Sequence, residues 1–158
     1  MGYYQTGQVC LNGHAITSDV SSGLKQSFCS NCGAATITKC PHCNSSIHGS
    51  YCEPGVVTIG RKYKPAAYCY NCGKPYPWTE KAIENTVLLI QEDEELSNIL
   101  KESLTSSLPD VLVETPGTNL AVVRMKKAFA TAGKFTADAL RQFAIDFGCE
   151  LVKKSLDL

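Results

Sequence analysis

The sequence predicts a small α+β protein, in which a zinc-stabilised β-ribbon with two zinc knuckle sites precedes an α-helical bundle or oligomerising helical tail. Eight of the nine cysteines lie in the first 72 of 158 residues, and six of those eight form three Cys-x-x-Cys pairs. After Pro77 the pattern changes to apolar residues at helical spacing. We therefore predict a tandem zinc-ribbon domain over 1–78 and an α-helical domain over 79–158.

Composition limits the class of protein. Fifteen basic and fifteen acidic side chains give a formal charge of zero, which argues against a generally basic nucleic-acid coat. No apolar run is long enough to span a bilayer, and MGYYQTGQVC has no apolar leader region. An odd number of cysteines without an export signal favours metal-bound thiolates over disulfides. We therefore expect a cytoplasmic protein that is not attached to a membrane.

The three Cys-x-x-Cys pairs have the spacing of zinc half-sites. A tight turn through such a pair places two thiolates on one edge of a tetrahedral zinc site, and Gly33 and Gly73 permit a positive φ after the second cysteine. Structural zinc takes four ligands, so six cysteines need two more residues to hold two Zn²⁺ ions. Cys10 and His14 can supply them, since the intervening Asn12-Gly13 step is a turn signal.

The favoured ligand sets are Cys10, His14, Cys29 and Cys32 for the first site, and Cys40, Cys43, Cys69 and Cys72 for the second. A rival pairing uses the same eight residues, with Cys29, Cys32, Cys40 and Cys43 on one zinc and Cys10, His14, Cys69 and Cys72 on the other. Cys52 could replace His14 and is otherwise expected to be a core or surface thiol. His42 and His48 are expected in solvent, and Cys149 is expected to pack within a helix.

Four strings carry a resemblance to a known family: VCLNGHAIT, FCSNCGAATITKCPHC, PGVV and YCYNCGKPYPWTE. From about Gln8 to Ile90 the chain resembles a small bacterial family of zinc-ribbon proteins of unknown function. The resemblance implies a tandem zinc-ribbon module in a bacterial cytoplasmic protein, and it implies no activity. Carried onto this sequence, it supports the same eight ligands: Cys10, His14, Cys29, Cys32, Cys40, Cys43, Cys69 and Cys72.

Short strands are expected in the first domain and helices in the second. AATITK, SIHGSY and GVVTIG are typical of strands, and residues 60–65 are expected to turn between two strands. Helices are predicted at about 80–91, 94–107, 116–132 and 136–156. Thr79 and Thr115 are expected to cap the first and third, while Pro109 ends the second and Gly133 the third. The junction at Gly133 is a weak break, so the last two helices could be continuous.

Three functional hypotheses follow. The favoured one is a non-enzymatic zinc-binding adaptor or regulatory protein, whose ribbon recognises a protein partner and whose residues 79–158 dock or form a homo-oligomer. The alternative is nucleic-acid binding by a hairpin that carries Arg61, Lys62, Tyr63 and Lys64, with aromatic residues nearby. A cysteine-dependent enzyme using Cys52 is the third.

Charge and motif content separate these hypotheses. Residues 1–78 carry six basic and two acidic side chains, and seven zinc-bound thiolates with two Zn²⁺ reduce the nominal +4 to +1. That is a weak electrostatic attraction for nucleic acid. No zincin, P-loop, dinucleotide or nucleophile-elbow motif is present, so no enzyme is expected.

Overall fold

The computed structural model describes residues 1–158 and divides into two compact units, Met1–Lys81 and Ala82–Leu158. The first unit contains short antiparallel strands and the second contains helices, which confirms the predicted α+β class. The boundary between the units falls inside the first helix, slightly later than the predicted boundary after Trp78. None of the helices combines the length and apolar character needed to cross a bilayer.

The first unit holds five short strands in two small sheets. They are β1 (Tyr3–Thr6), β2 (Gln8–Cys10), β3 (Ala15–Thr17), β4 (Thr36–Ile37) and β5 (His48–Cys52). β1 pairs with β5, and β2 lies between β3 and β4, with every pair antiparallel. β4 lies within the predicted AATITK segment, and β5 overlaps the predicted SIHGSY segment and continues one residue past it, to Cys52. These strands are too short to bury a large core, so other contacts must hold the unit together.

A small apolar cluster lies among the cysteines of this unit. Val9, Ile47, Tyr76 and Trp78 are buried there, and the Tyr76 and Trp78 rings stack with centroids 4.7 Å apart. Trp78 Nε1 donates a hydrogen bond to the carbonyl of Ala66 at 3.1 Å. Because both aromatic rings are buried, neither is exposed for stacking on nucleic-acid bases.

The predicted GVVTIG strand is not formed. Residues 53–66 contain neither strand nor helix, and the Val57 and Ile59 side chains are 85% and 91% exposed. A β-branched segment forms a strand only where a neighbouring strand supplies hydrogen-bond partners, and none pairs with this segment. Arg61–Lys64 therefore do not lie on a hairpin, which corrects the turn predicted between two strands.

Five helices form the rest of the chain: α1 (Pro77–Glu92), α2 (Asn98–Leu112), α3 (Thr118–Thr131), α4 (Lys134–Phe147) and α5 (Glu150–Ser155). α1 begins at Pro77 rather than being capped by Thr79, because proline suits the first helical position. Gly117, not Thr115, directly precedes α3. The helix ends at Thr131, two residues before the predicted stop at Gly133.

The second helix starts and ends later than the predicted 94–107. The Asp93 carboxylate accepts the backbone N–H groups of Glu95 and Leu96, and this turn occupies the predicted first residues of the helix. Ser97 then caps α2 by accepting the N–H of Leu100 at 3.2 Å. Pro109 lies inside α2 and does not end it. Proline costs one helical hydrogen bond there, and burial of the flanking apolar residues offsets that cost.

The predicted helix over 136–156 is broken in two. Gly148 adopts an extended backbone with ψ 147°, and α5 starts after Cys149. Gly133, at the junction predicted to be weak, separates α3 from α4. Cys149 packs against the core of the helical unit, as predicted. That core is formed by residues from all five helices, including Ile90, Leu104, Leu108, Val111, Met125, Leu140 and Val152.

Candidate metal centre

The first cluster brings together Cys10, His14, Cys29 and Cys32, whose ligand atoms all lie within 4.8 Å of one another. Cys10 ends β2, and His14 precedes β3, so the two flank the turn that joins these strands. The His14 Nδ1 atom faces the sulfurs, at 3.5 Å from Cys10 Sγ and 3.7 Å from Cys29 Sγ. The ring is therefore oriented to bind through Nδ1, which the sequence pattern does not specify.

The second cluster contains Cys40, Cys43, Cys69 and Cys72, also with all ligand atoms within 4.8 Å of one another. Cys40 Sγ lies 3.8 Å from Cys72 Sγ, and Cys43 Sγ lies 3.6 Å from Cys69 Sγ. The four sulfurs come from two Cys-x-x-Cys turns that are distant in sequence. The structure thus has the favoured pairing of half-sites, not the rival pairing.

The interatomic distances match tetrahedral zinc. With Zn–S bonds of about 2.3 Å and Zn–N bonds of about 2.0–2.1 Å, a regular tetrahedron has S–S edges of about 3.8 Å and S–N edges of about 3.6 Å. The sulfurs of Cys10 and Cys32 are 3.7 Å apart, and the other measured edges range from 3.5 to 3.8 Å. All nine cysteines are free of disulfides. The two clusters therefore fit two zinc ions, one per cluster.

The same backbone turn presents the sulfurs of all three Cys-x-x-Cys pairs. The carbonyl of the first cysteine accepts the N–H of the residue after the second, at 2.7 Å for Gly33, 2.8 Å for Asn44 and 2.9 Å for Gly73. The φ angles of these three residues are 73°, 63° and 72°. The two glycines were expected from the sequence. Asn44 was missed, although asparagine is the side-chain-bearing residue that best tolerates this left-handed conformation.

The turn between Cys10 and His14 is shaped by Asn12 and Gly13. Gly13 has φ 94°, and a Cβ atom there would lie 2.9 Å from the Cβ of Trp78. Asn12 Nδ2 donates to Cys32 Sγ at 3.4 Å, and the backbone N–H of His14 donates to Cys10 Sγ at 3.3 Å. These donors stabilise negative charge on the sulfurs, as expected for a site that binds thiolates.

Hydrogen bonds also favour the thiolate form of the second cysteine in two pairs. The backbone N–H of Ala34 is the main cause that lowers the pKa of Cys32 to about 6. At the second site, the side chain and backbone of Ser45 lower the pKa of Cys43 to about 6. Zinc requires deprotonated cysteine ligands, and these donors favour that form at Cys32 and Cys43. At Cys72 the backbone N–H of Lys74 acts in the same direction, but burial and the neighbouring cysteines raise the pKa to about 11.

His42, His48 and Cys52 lie outside the two metal clusters. His42 is exposed, as predicted, with Nε2 at 3.8 Å from Glu80 Oε1. His48 is not simply in solvent, since it stacks between Tyr4 and Tyr70 at centroid distances of 4.0 and 3.9 Å. Cys52 is at the other end of β5, about 13 Å from His48 along the strand. That separation prevents a Cys–His dyad.

The predicted nucleic-acid residues lie on an irregular segment over 61–64. Arg61, Lys62 and Lys64 are exposed, whereas Tyr63 is half-buried and donates its hydroxyl to the carbonyl of His48 at 2.9 Å. Burial raises the pKa of Tyr63 to about 12. Tyr63 therefore holds the segment in place rather than offering a free aromatic face.

Comparison with known proteins gives a family without an assigned activity. No curated protein and no solved structure matches the chain. Residues 3–156 match the family described as an uncharacterised protein conserved in bacteria, DUF2321. The match extends beyond the two zinc clusters and includes the helical unit. The chain therefore belongs to this uncharacterised bacterial family, DUF2321.

Proposed function

We propose that this protein is a non-enzymatic adaptor or regulatory protein of the bacterial cytoplasm. In this proposal the zinc unit, Met1–Lys81, binds a protein partner, and the helical unit, Ala82–Leu158, docks or self-associates. The observation that carries the proposal is that each metal cluster has four protein ligands. A catalytic zinc site keeps one position for water or substrate, whereas a structural site does not. Zinc is thus assigned the role of a scaffold for recognition.

A reducing compartment agrees with this role. None of the nine cysteines is in a disulfide, and cysteines remain reduced in the cytoplasm, where glutathione and thioredoxin oppose disulfide formation. Structural zinc also contributes about 10–16 kcal/mol of apparent binding free energy, which compensates for the small apolar cluster of the unit.

An apolar groove on the helical unit supports self-association with a second copy. It lies between α2 and α3 and has a volume of about 580 Å³. Ile99, Leu120 and Val123 line it and are 82%, 51% and 48% exposed. Burying such side chains against another copy removes apolar surface from water. We assign the homo-oligomer contact to this groove.

A pull-down of the zinc-loaded full chain from its native host tests the adaptor proposal. One stoichiometric protein partner, retained after nuclease treatment, is the expected result. Retention that disappears with nuclease or moderate salt, with no protein partner, would instead favour the nucleic-acid alternative. The nucleic-acid alternative is included in the test because three cationic side chains, Arg61, Lys62 and Lys64, are exposed.

The enzyme alternative has its own experiment. It requires a substrate-dependent activity that is lost in Cys52→Ser while the zinc content is unchanged. The distance between Cys52 and His48 along β5 leaves the thiol without this histidine as a base, so no such activity is expected.

A further inference from the structure

A groove on the zinc unit combines aromatic and basic side chains without any acidic one. Its volume is about 440 Å³, and the residues that line it include Tyr4, Tyr51, Arg61, Lys62 and Lys64. Tyr4 and Tyr51 are 53% and 48% exposed. The metal clusters lie elsewhere in the unit, because none of the eight zinc ligands lines this groove.

The three cations of the groove have no partner within the chain. Arg61, Lys62 and Lys64 are all exposed, and the salt bridges of the protein involve other residues. Like charges this close together repel one another, and the repulsion is relieved when an anion binds. A cluster of this kind without acidic neighbours favours an anionic ligand.

Tyr63 determines which way these cations point. Its hydroxyl donates to the carbonyl of His48 on β5, and its ring is half-buried against the zinc unit. The Tyr63 side chain is half-buried, whereas those of its neighbours Lys62 and Lys64 are exposed to solvent. The anchored tyrosine thereby presents two ammonium groups at a defined place.

The aromatic rings suit a peptide better than a single nucleic-acid strand. A strand-binding surface needs free ring faces on which bases stack. Here Tyr4, His48 and Tyr70 stack on one another, with interplanar angles of 6° and 11°, and Tyr51 meets Tyr4 edge to face. These contacts cover both faces of the His48 ring and one face each of the Tyr4 and Tyr70 rings. The tyrosine hydroxyls remain suitable donors for carboxylates, and the ring edges can contact apolar side chains.

We propose that this groove is the partner-binding site of the zinc unit and that its ligand is an acidic peptide segment, rich in Asp or Glu, of the partner protein. The inference rests on the adaptor function proposed above and specifies the chemistry of its ligand. Arg61, Lys62 and Lys64 pair with the carboxylates, while Tyr4 and Tyr51 contact the rest of the segment. Local pairing of this kind does not require the large positive field of a nucleic-acid-binding protein.

Selection from a display library of random short peptides on the zinc-loaded full chain tests this ligand class. The comparison protein is the triple variant Arg61→Gln, Lys62→Gln, Lys64→Gln, and the matched control is Lys25→Gln, Lys39→Gln, Lys74→Gln, which removes the same charge from exposed sites outside the groove. We expect acidic peptides to be enriched and to bind about tenfold more weakly to the groove variant, with little change in the control. Zinc content is measured for each protein to verify folding.

Two results would overturn the assignment. One is a selected pool without acidic enrichment, or one that binds the groove variant as tightly as the wild type. The other is a single-stranded oligothymidine that binds more tightly than any selected peptide and depends on the same three cations. Repeating the host pull-down separates the two proposals. A partner retained equally by the wild type and the groove variant refutes the groove alone, whereas no partner on the wild type refutes the adaptor function itself.

Discussion

The carboxylate of Asp93 accepts the backbone N–H of Gly133 at 3.0 Å, and so joins the connector before α2 to the connector before α4. The same side chain is 7% exposed and also accepts the N–H groups of Glu95 and Leu96. One buried carboxylate therefore holds two loops of the helical unit together, across 40 residues of sequence.

We expect Asp93→Ala to destabilise the helical unit by about 2 kcal/mol, because one buried and two partly buried N–H groups lose a charged acceptor. Urea unfolding followed by the helical circular dichroism signal measures this change. Asp138→Ala is the control, since Asp138 is exposed and forms only a surface contact with Arg141. Equal stability of the two variants would contradict this role of Asp93.

The same carboxylate predicts a pH dependence. Hydrogen bonds from the Thr136 side chain and from three backbone N–H groups lower the pKa of Asp93 in the folded state. Its stabilisation is then fully present above the ordinary aspartate pKa of about 4, and it is lost as the pH falls through the lower folded value. We expect the stability difference between wild type and Asp93→Asn to be constant near neutral pH and to shrink below about pH 4. Acid-induced loss of zinc affects both proteins alike and therefore cancels in this stability difference. A stability difference that grows on acidification would refute the role given to the Asp93 carboxylate.

Double cysteine variants test which ligands share a zinc ion. Elemental analysis of the wild type should give two zinc ions per chain. Cys10→Ser with Cys29→Ser disrupts one cluster of the structure and should leave one zinc. Cys29→Ser with Cys40→Ser disrupts both clusters and should leave none. The rival pairing predicts the reverse outcome for these two proteins, so the metal content discriminates between them.

The turn through Cys40 and Cys43 provides a test of backbone strain. Asn44 is exposed with φ 63°, so its conformation matters more than its side-chain contacts. Replacement by valine should weaken the second site by about 1–2 kcal/mol, while Asn44→Gly should be nearly neutral. Competition for zinc with a chelator measures the effect, and the zinc of the first site serves as an internal control. Equal zinc retention in both variants would show that φ at this position does not matter.

Tyr63→Phe should loosen the segment that carries the groove cations. The substitution preserves the ring and removes only the hydrogen bond to the carbonyl of His48, which is worth about 1 kcal/mol. We expect faster trypsin cleavage after Arg61 and Lys62, with unchanged zinc content. Tyr51→Phe is the matched control because Tyr51 is an exposed tyrosine outside this segment. The prediction fails if both variants are cleaved at the wild-type rate.

Self-association through the helical unit predicts a mass above the 17.1 kDa of one chain. Light scattering at high micromolar concentration measures it. Val123→Glu should shift the protein toward monomer, because a carboxylate in the α2–α3 groove would be costly to bury against a second copy. Leu88→Glu, at another exposed apolar position, should leave the mass unchanged. A wild-type protein that is monomeric throughout would rule out this contact.

Local sequence was sufficient for those features that depend on nearby residues. The Cys-x-x-Cys spacing identified six ligands, and the Asn12-Gly13 turn identified Cys10 and His14, because each pair meets through a short turn. Helical periodicity identified the helical unit, but it misplaced the start of α2. The buried Asp93 turn occupies those residues, and its burial depends on Gly133, 40 residues away.

The sequence by itself determined the ligand types, the two-zinc stoichiometry and the α+β class, since these follow from spacing and periodicity along the chain. Only the tertiary structure decided which half-sites share a metal ion, because both pairings use the same eight residues and Cys40 meets Cys72 from 32 positions away. It also replaced the expected hairpin by an irregular segment anchored through Tyr63. Residues 56–59 favour a strand by their side chains, but they do not form one because no neighbouring strand pairs with them.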